Sequence, residues 1–427
     1  MILTNSEDKV SHRFIVLFLA LNIFLLAFPI LSISELGVPE DVAWAKAAAA
    51  ANVQVLNPEA TYTFGGELTL RAIIQSEVPV QSVVVFLQAT GTQNAIQGQA
   101  IPEEDGHFIY IHDLTKQPLR AFAKINYWFG VLLQNGEIVA SPIFSFYYED
   151  NRYTWQTLEF KPFRLHWYEG NLSFAQEIFN TAWDGWVRAK RILPIFPPER
   201  VEIYVYASAR EVQSTLQLGA QTWVAGHADP DLGVIAVSLP PGPEQRLEMA
   251  RQIPHELMHI MIYKKVGDAY VNLPVWFNEG LASAVELYPD PNYPLLMQTA
   301  YQKDGLIPMT GLCQSFPKNA SSALLAYAEA SSFVNYLYRR FGNTGMEALL
   351  KMYADGLACE RGFEAALGSP LAKVEQGWLR ETFETSPALS GLENLMPWVV
   401  VLAVIVVMPL AIGVRGIALK RKEEAEI

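Results

Sequence analysis

The residues with the clearest chemical potential are His255-Glu256-Leu257-Met258-His259. On a helix, positions four apart share a face, so both imidazoles aim at one point with Glu256 beside them. This pattern suits a zinc ion held by two neutral His nitrogens, with a carboxylate placed to take a proton from activated water. The chain has 7 His in 427 residues, and a chance match of this kind is on the order of 1%. Glu279 follows after 19 intervening residues. That is enough chain for a turn and the start of an antiparallel helix, so Glu279 can return as a third ligand. Three protein ligands and one ion per chain leave the fourth zinc position for water, whereas a structural site would use four protein ligands.

The elements that must position these residues follow from their neighbours. Gln252-Ile253-Pro254 and Ile260-Met261-Ile262 make the first helix largely apolar, and Gly267 can end it. Pro274-Val275-Trp276-Phe277-Asn278-Glu279-Gly280-Leu281-Ala282 opens a second helix at Pro274. Upstream, Phe174 to Arg191 has helical spacing at Ile178, Ala182, Trp186 and Ala189, and Val201 to Val205 reads as a buried strand. Gly233 to Leu239 is a further strand, either a sheet edge along which an extended peptide pairs or an internal strand. From Glu244 onward the pattern is almost wholly helical. Residues 160–385 are therefore expected to form an α+β domain.

The histidine motif, its spacing to Glu279 and the surrounding Trp-Phe-Asn-Glu-Gly-Leu-Ala resemble the gluzincin clan of metallopeptidases, especially the membrane-linked peptidase MA-like proteins. The resemblance extends more loosely to Trp223-Val224-Ala225-Gly226-His227-Ala228 and to Ala326-Tyr327-Ala328-Glu329-Ala330-Ser331-Ser332-Phe333. It implies a zincin-like domain with a β-sheet lobe, an active-site helix and a helical C-terminal lobe. It further implies that His255, His259 and Glu279 bind zinc and that Glu256 is the general base in hydrolysis of a peptide or protein substrate. Tyr327 resembles in position the tyrosine that stabilises the oxyanion in aminopeptidase-like relatives; the other reading is an ordinary packed aromatic. His227 is a weaker candidate, since an isolated His before a strand is usually a surface residue.

Two departures bear on specificity. Aminopeptidases of the clan carry Gly-x-Met-Glu-Asn, whose carboxylate holds the substrate amine, and the comparable stretch here is Gly226-His227-Ala228-Asp229-Pro230. This favours an endopeptidase. Thermolysin-like enzymes place an Asp four residues after the glutamate ligand to brace a zinc-bound His, and here that position is Ser283. Glu286 or a backbone carbonyl is left as the acceptor.

Residues 51–150 have the signature of an all-β unit. Leu68 to Ile73, Ser82 to Leu87, Phe108 to Ile111, Ala121 to Phe129 and Ile138 to Tyr148 are rich in Val, Ile, Phe and Tyr, and Gly65-Gly66, Asp105-Gly106 and Asn135-Gly136 separate them. An immunoglobulin-like β-sandwich is expected, serving as a spacer or recognition module.

The chain is 51% hydrophobic and 18% charged, with 27 Gly and 26 Pro, which excludes collagen, low-complexity repeats and wholesale disorder. A formal charge of -13 offers no electrostatic footprint for nucleic acid. Phe14 to Ile33 and Leu395 to Val414 are apolar runs that can span a bilayer, so a membrane partner is expected. Lys9 and Arg13 before the first, and Arg415, Lys420, Arg421 and Lys422 after the second, place both ends in the cytoplasm and the middle outside. Residues 1–45 form either a signal peptide, with Ala43-Trp44-Ala45 as a cleavage site, or an N-terminal anchor. Residues 395–414 form a transmembrane helix and 415–427 a cytoplasmic tail. The protein is thus expected in the cell membrane, single-pass or two-pass, with its catalytic domain outside the cytoplasm. Exported Cys313 and Cys359 form either a disulfide or two separate buried thiols. An intramembrane protease is disfavoured, because Glu248, Arg251 and Gln252 before the motif and Lys264-Lys265 after it leave no flank that spans a bilayer.

The leading expectation is a membrane-anchored zinc metallopeptidase. The alternatives are a catalytically weak zinc-binding surface protein that binds peptides or partners, and a structural protein in which the histidines merely pack.

Overall fold

The computed structural model of the chain describes residues 53–216 and 226–384. Both apolar runs, the segments 1–45 and 415–427, and Trp223-Val224-Ala225 lie outside those residues. Among the described residues no helix is long and apolar enough to cross a membrane.

The first unit comprises β1 (Gln54–Tyr62), β2 (Glu67–Gln75), β3 (Val80–Ala89), β4 (Ile96–Pro102), β5 (His107–Asp113), β6 (Lys124–Leu133), β7 (Ile138–Ala140) and β8 (Phe144–Tyr147). Their order is β1-β2-β5-β4-β3-β6-β7, with β8 also on β6, and every pairing is antiparallel. Along β6 the residues Ile125, Tyr127, Phe129, Val131 and Leu133 are buried and those between them are less so, as expected of a sheet with one covered face. The strands follow one continuous path through β4, which joins β5 only at Ile101 and Pro102. The unit is thus all-β and antiparallel, with β4 linking its two halves around one shared apolar core.

The second unit opens with β9 (Gln156–Phe160) and β10 (Phe163–Trp167), followed by α1 (Leu172–Ile192), β11 (Val201–Tyr206), α2 (Ala209–Leu216), β12 (Gly226–Asp229) and β13 (Val234–Ser238). The sheet order is β12-β13-β11-β10-β9. The inner strands β10, β11 and β13 run parallel, and β9 and β12 flank them antiparallel. Asn171 starts α1 by accepting a hydrogen bond from the Phe174 amide, and its buried positions Ala175, Ile178, Phe179, Ala182, Ala189 and Ile192 keep helical spacing.

Helices make up the rest: α3 (Gln245–Val266), α4 (Val275–Ala284), α5 (Tyr293–Gln302), α6 (Ala320–Ala354), α7 (Cys359–Leu367) and α8 (Leu371–Leu379). The long α6 is broken at Gly342, where φ is 61°.

Alternation along the five-stranded sheet explains how the units join. Val201, Ile203 and Val205 of β11, with Ile235 and Val237 of β13, face the helices. Tyr204, Tyr206, Val234 and Ala236 face the first unit and share its apolar core. The sheet is thus covered on both sides, by helices and by the β unit. Phe122 of the first unit stacks on Tyr204 with ring centroids 4.1 Å apart.

Cys313 and Cys359 are joined as a disulfide. The Val275 amide donates to the Cys313 carbonyl at 2.9 Å, and the Trp276 indole lies 3.3 Å from the Cys359 sulfur. The bridge therefore sits at the start of α4.

Candidate metal centre

Helix α3 carries His255 and His259 one turn apart, with Glu256 next to His255, and it contains Pro254. A proline inside a helix has no N–H to offer the carbonyl four residues earlier. That carbonyl, of Ala250, accepts instead from the Leu287 amide at 2.9 Å. This bond draws the chain leaving α4 against α3 and brings Glu286 beside His255. Gly267, with φ 61°, ends α3, and Pro274 precedes the first residue of α4.

Helix α4 returns along α3 and presents Glu279. Glu279 Oε2 lies 3.4 Å from His255 Nε2 and 3.7 Å from His259 Nε2. The ligand-type atoms of His255, His259 and Glu279 all lie within 4.8 Å of one another. Close helix packing makes this possible, since a Cβ on Gly280 would come within 2.6 Å of the Ala330 carbonyl oxygen on α6.

The remaining imidazole nitrogens are engaged from outside the cluster. His255 Nδ1 is 3.1 Å from Glu286 Oε1, so Glu286 braces it while Ser283 stays fully buried nearby. His259 Nδ1 faces Tyr270 Oη at 3.0 Å and Asn278 Oδ1 at 3.3 Å, and Asn278 Nδ2 donates to Tyr270 Oη at 2.7 Å. Both Nε2 atoms are thereby aimed at Glu279. Two imidazoles with braced Nδ1 atoms and one carboxylate form a donor set that fits zinc. Sequence reasoning missed Tyr270, which lies in the 3-10 turn Gly267–Asn272; only its place between the two helices could have signalled it.

The electrostatics follow from burial and crowded charge. Burial, with Glu279 and Glu286 close by, pushes the Glu256 carboxyl up to about 7. Burial lowers His259 to about 4, whereas at His255 the hydrogen bonds to Glu279 and Glu286 overcome burial and hold the ring well above its ordinary value. The Tyr327 ring, on α6, lies 6.1 Å from the His255 ring and packs edge-on to Phe316. The charge of Glu279, then burial, raises its phenol well above the usual range, so it stays a hydrogen-bond donor.

The wall beside Glu256 is β12. A Cβ on Gly226 would lie 2.8 Å from Glu256 Oε1, so any larger residue there would push the Glu256 carboxylate aside. β12 ends the sheet order, whereas β13 is paired on both sides, by β12 and β11. Among the described residues the edge strand beside Glu256 is therefore Gly226–Asp229, and Gly233 to Leu239 falls on an internal strand. Its short, polar sequence hid it from a search for apolar runs. His227 sits on this edge, 4.0 Å from Asp229 Oδ1.

Residues 181–383 match the family model for the Peptidase MA superfamily. No curated protein matches the chain. Among solved structures, an M1 zinc metallopeptidase from Deinococcus radiodurans aligns with 78% of this chain and 95% of its own at 13% identity, with a TM-score of 0.31. A carbohydrate-binding module family 56 beta-1,3-glucan binding domain aligns with 21% of this chain and 95% of its own at 21% identity, with a TM-score of 0.15. Scores this low serve as description alone. The stretch that matches the Peptidase MA superfamily model, 181–383, is the one that holds the paired histidines and the glutamates that surround them.

Proposed function

We propose that the protein is a zinc-dependent metallopeptidase that cleaves within peptide chains. The observation that carries this reading is the meeting of His255, His259 and Glu279 within 4.8 Å, with Glu256 buried beside them. When bound, zinc supplies Lewis acidity and a water acidified to about neutral pH. Glu256 takes the proton from water and passes it to the leaving amine, a role suited to a carboxylate buried beside the donor set. Tyr327 donates a hydrogen bond to the oxygen on which charge develops. Glu286, Asn278 and Tyr270 keep the imidazoles aimed. The edge of β12, unpaired among the described residues, offers backbone groups to an extended peptide, which grips substrate with little sequence preference.

In this reading the apolar run 395–414 anchors the chain in the cell membrane and the catalytic domain faces away from the cytoplasm. The charges flanking both apolar runs support that orientation. The experiment is metal analysis and peptide digestion with the purified full chain. One zinc per chain and chelator-sensitive cleavage are expected, with Glu256→Gln keeping the metal and losing about 100-fold or more in rate. Equal rates in the two proteins would remove Glu256 as the base, and a chain without zinc would remove the metallopeptidase.

A further inference from the structure

A charged contact from the β unit reaches the edge strand beside Glu256. Arg120, in the loop before β6, makes two parallel hydrogen bonds to Asp231, Nη1 to Oδ2 at 2.6 Å and Nη2 to Oδ1 at 2.5 Å. Nη2 also donates to Asp229 Oδ1 at 2.8 Å, and Nη1 to the Thr90 carbonyl at 3.3 Å. Asp229 is the last residue of β12 and Asp231 lies in the turn to β13. The contact is tightly enclosed: a Cβ on Gly91, where φ is +82°, would collide with Arg120 Nη1 and stand 2.8 Å from Asp231 Oδ2. The guanidinium is partly buried, with 24% of its side-chain surface exposed, and a paired fork of this kind fixes direction as well as distance. The same bonds hold the Asp231 carboxyl below its ordinary range.

Among the described residues the strand so gripped spans Gly226–Asp229 and is paired on one side, by β13. A Cβ on its first residue, Gly226, would meet the Glu256 carboxylate at 2.8 Å, so this strand lies directly against the candidate base. A short edge strand has little of its own to keep it in place. We propose that Arg120 is a positioning residue for peptide binding, pinning the far end of β12 from the β unit so that the strand's free edge stands ready beside the metal centre. The β unit is then a wall of the substrate groove and not a spacer. This inference rests on the peptidase reading above.

The test compares the zinc-loaded full chain with R120M and R120K, using a decapeptide blocked at both ends. R120M should raise KM by about tenfold and leave kcat within about twofold, and R120K should recover most of the loss. In an E256Q background, R120M should weaken binding of the fluorescein-labelled decapeptide by the same factor, with zinc content unchanged. Should R120M fail to fold, D231N, which leaves Asp229 for Arg120, should give a smaller rise in KM. KM and affinity equal to the parent's would overturn the role, and so would a matching loss of zinc, which marks a general structural effect. A parent enzyme that cuts the decapeptide with an indifferent R120M sinks this inference alone. A zinc-loaded parent that fails to cut it sinks the peptidase reading and this inference together.

Discussion

Glu286 Oε1 stands 3.1 Å from Nδ1 of His255, seven positions beyond Glu279 on the chain that leaves α4. The bond exists because Pro254 frees the Ala250 carbonyl for the Leu287 amide, which clamps this part of the chain against α3. Replacing Glu286 by Ala should cost about 10- to 100-fold in zinc affinity. Gln, which keeps an acceptor oxygen, should recover much of it. Competition with a chromogenic chelator measures both.

Tyr327 is the one hydroxyl proposed to meet developing charge. Tyr327→Phe keeps the ring that packs on Phe316 and removes only the donor. A fall in kcat of about 100- to 1000-fold is expected, with KM and zinc content near those of the parent. Steady-state kinetics on a blocked peptide decides it, and an unchanged kcat returns Tyr327 to the role of a packed aromatic.

Glu329 is fully buried on α6 and accepts the Ile307 amide at 3.1 Å and 3.2 Å through its two oxygens. Burial raises its carboxyl from 4.5 to about 8. The unfolded chain releases this proton at lower pH than the folded one, so folded stability is complete below about 4.5 and declines as pH rises toward 8. Glu329→Gln should flatten that decline, by about 1.4 kcal/mol for each pH unit across the window at most. Urea unfolding of parent and variant at several pH values provides the comparison, and parallel curves would refute the assignment.

Gly280 adjoins Glu279 where α4 crosses α6. A Cβ there would come within 2.6 Å of both the Ala330 carbonyl oxygen and Val334 Cγ2. Gly280→Ala should destabilise the fold by about 1–3 kcal/mol and weaken zinc binding, because the helix that presents Glu279 must move. Urea midpoints and chelator competition on the same protein test both effects.

Much of this geometry is legible in the residues. The interval from His259 to Glu279 is the length of one helical return, and Gly267 and Pro274 mark its two ends, so the meeting of α3 and α4 follows from local rules. Glu286 was visible as an acceptor but not as the chosen one, since its place depends on a carbonyl left open one turn before Pro254. Tyr270 could be signalled only by its place in the short turn between α3 and α4, and Arg120 carried no signal because its partner is distant in sequence, 109 residues away at Asp229. Strand β1, with Pro58 and a register shift between Leu56 and Glu59, lacks the apolar alternation that exposed β2, β3 and β6. The edge strand Gly226–Asp229 was masked by its polarity, which drew attention to the more apolar β13.

The disulfide between Cys313 and Cys359 has a consequence for how firmly Glu279 is held. Both sulfur-bearing residues touch the opening turn of α4, through Val275 and Trp276, one turn ahead of Glu279. Opening the bridge would remove a tether from the start of this helix while leaving the Leu287–Ala250 bond and the seat of Gly280 on α6 in place. The arm that carries the third donor is thus moored at both its ends, by a covalent tie in front and a borrowed carbonyl behind.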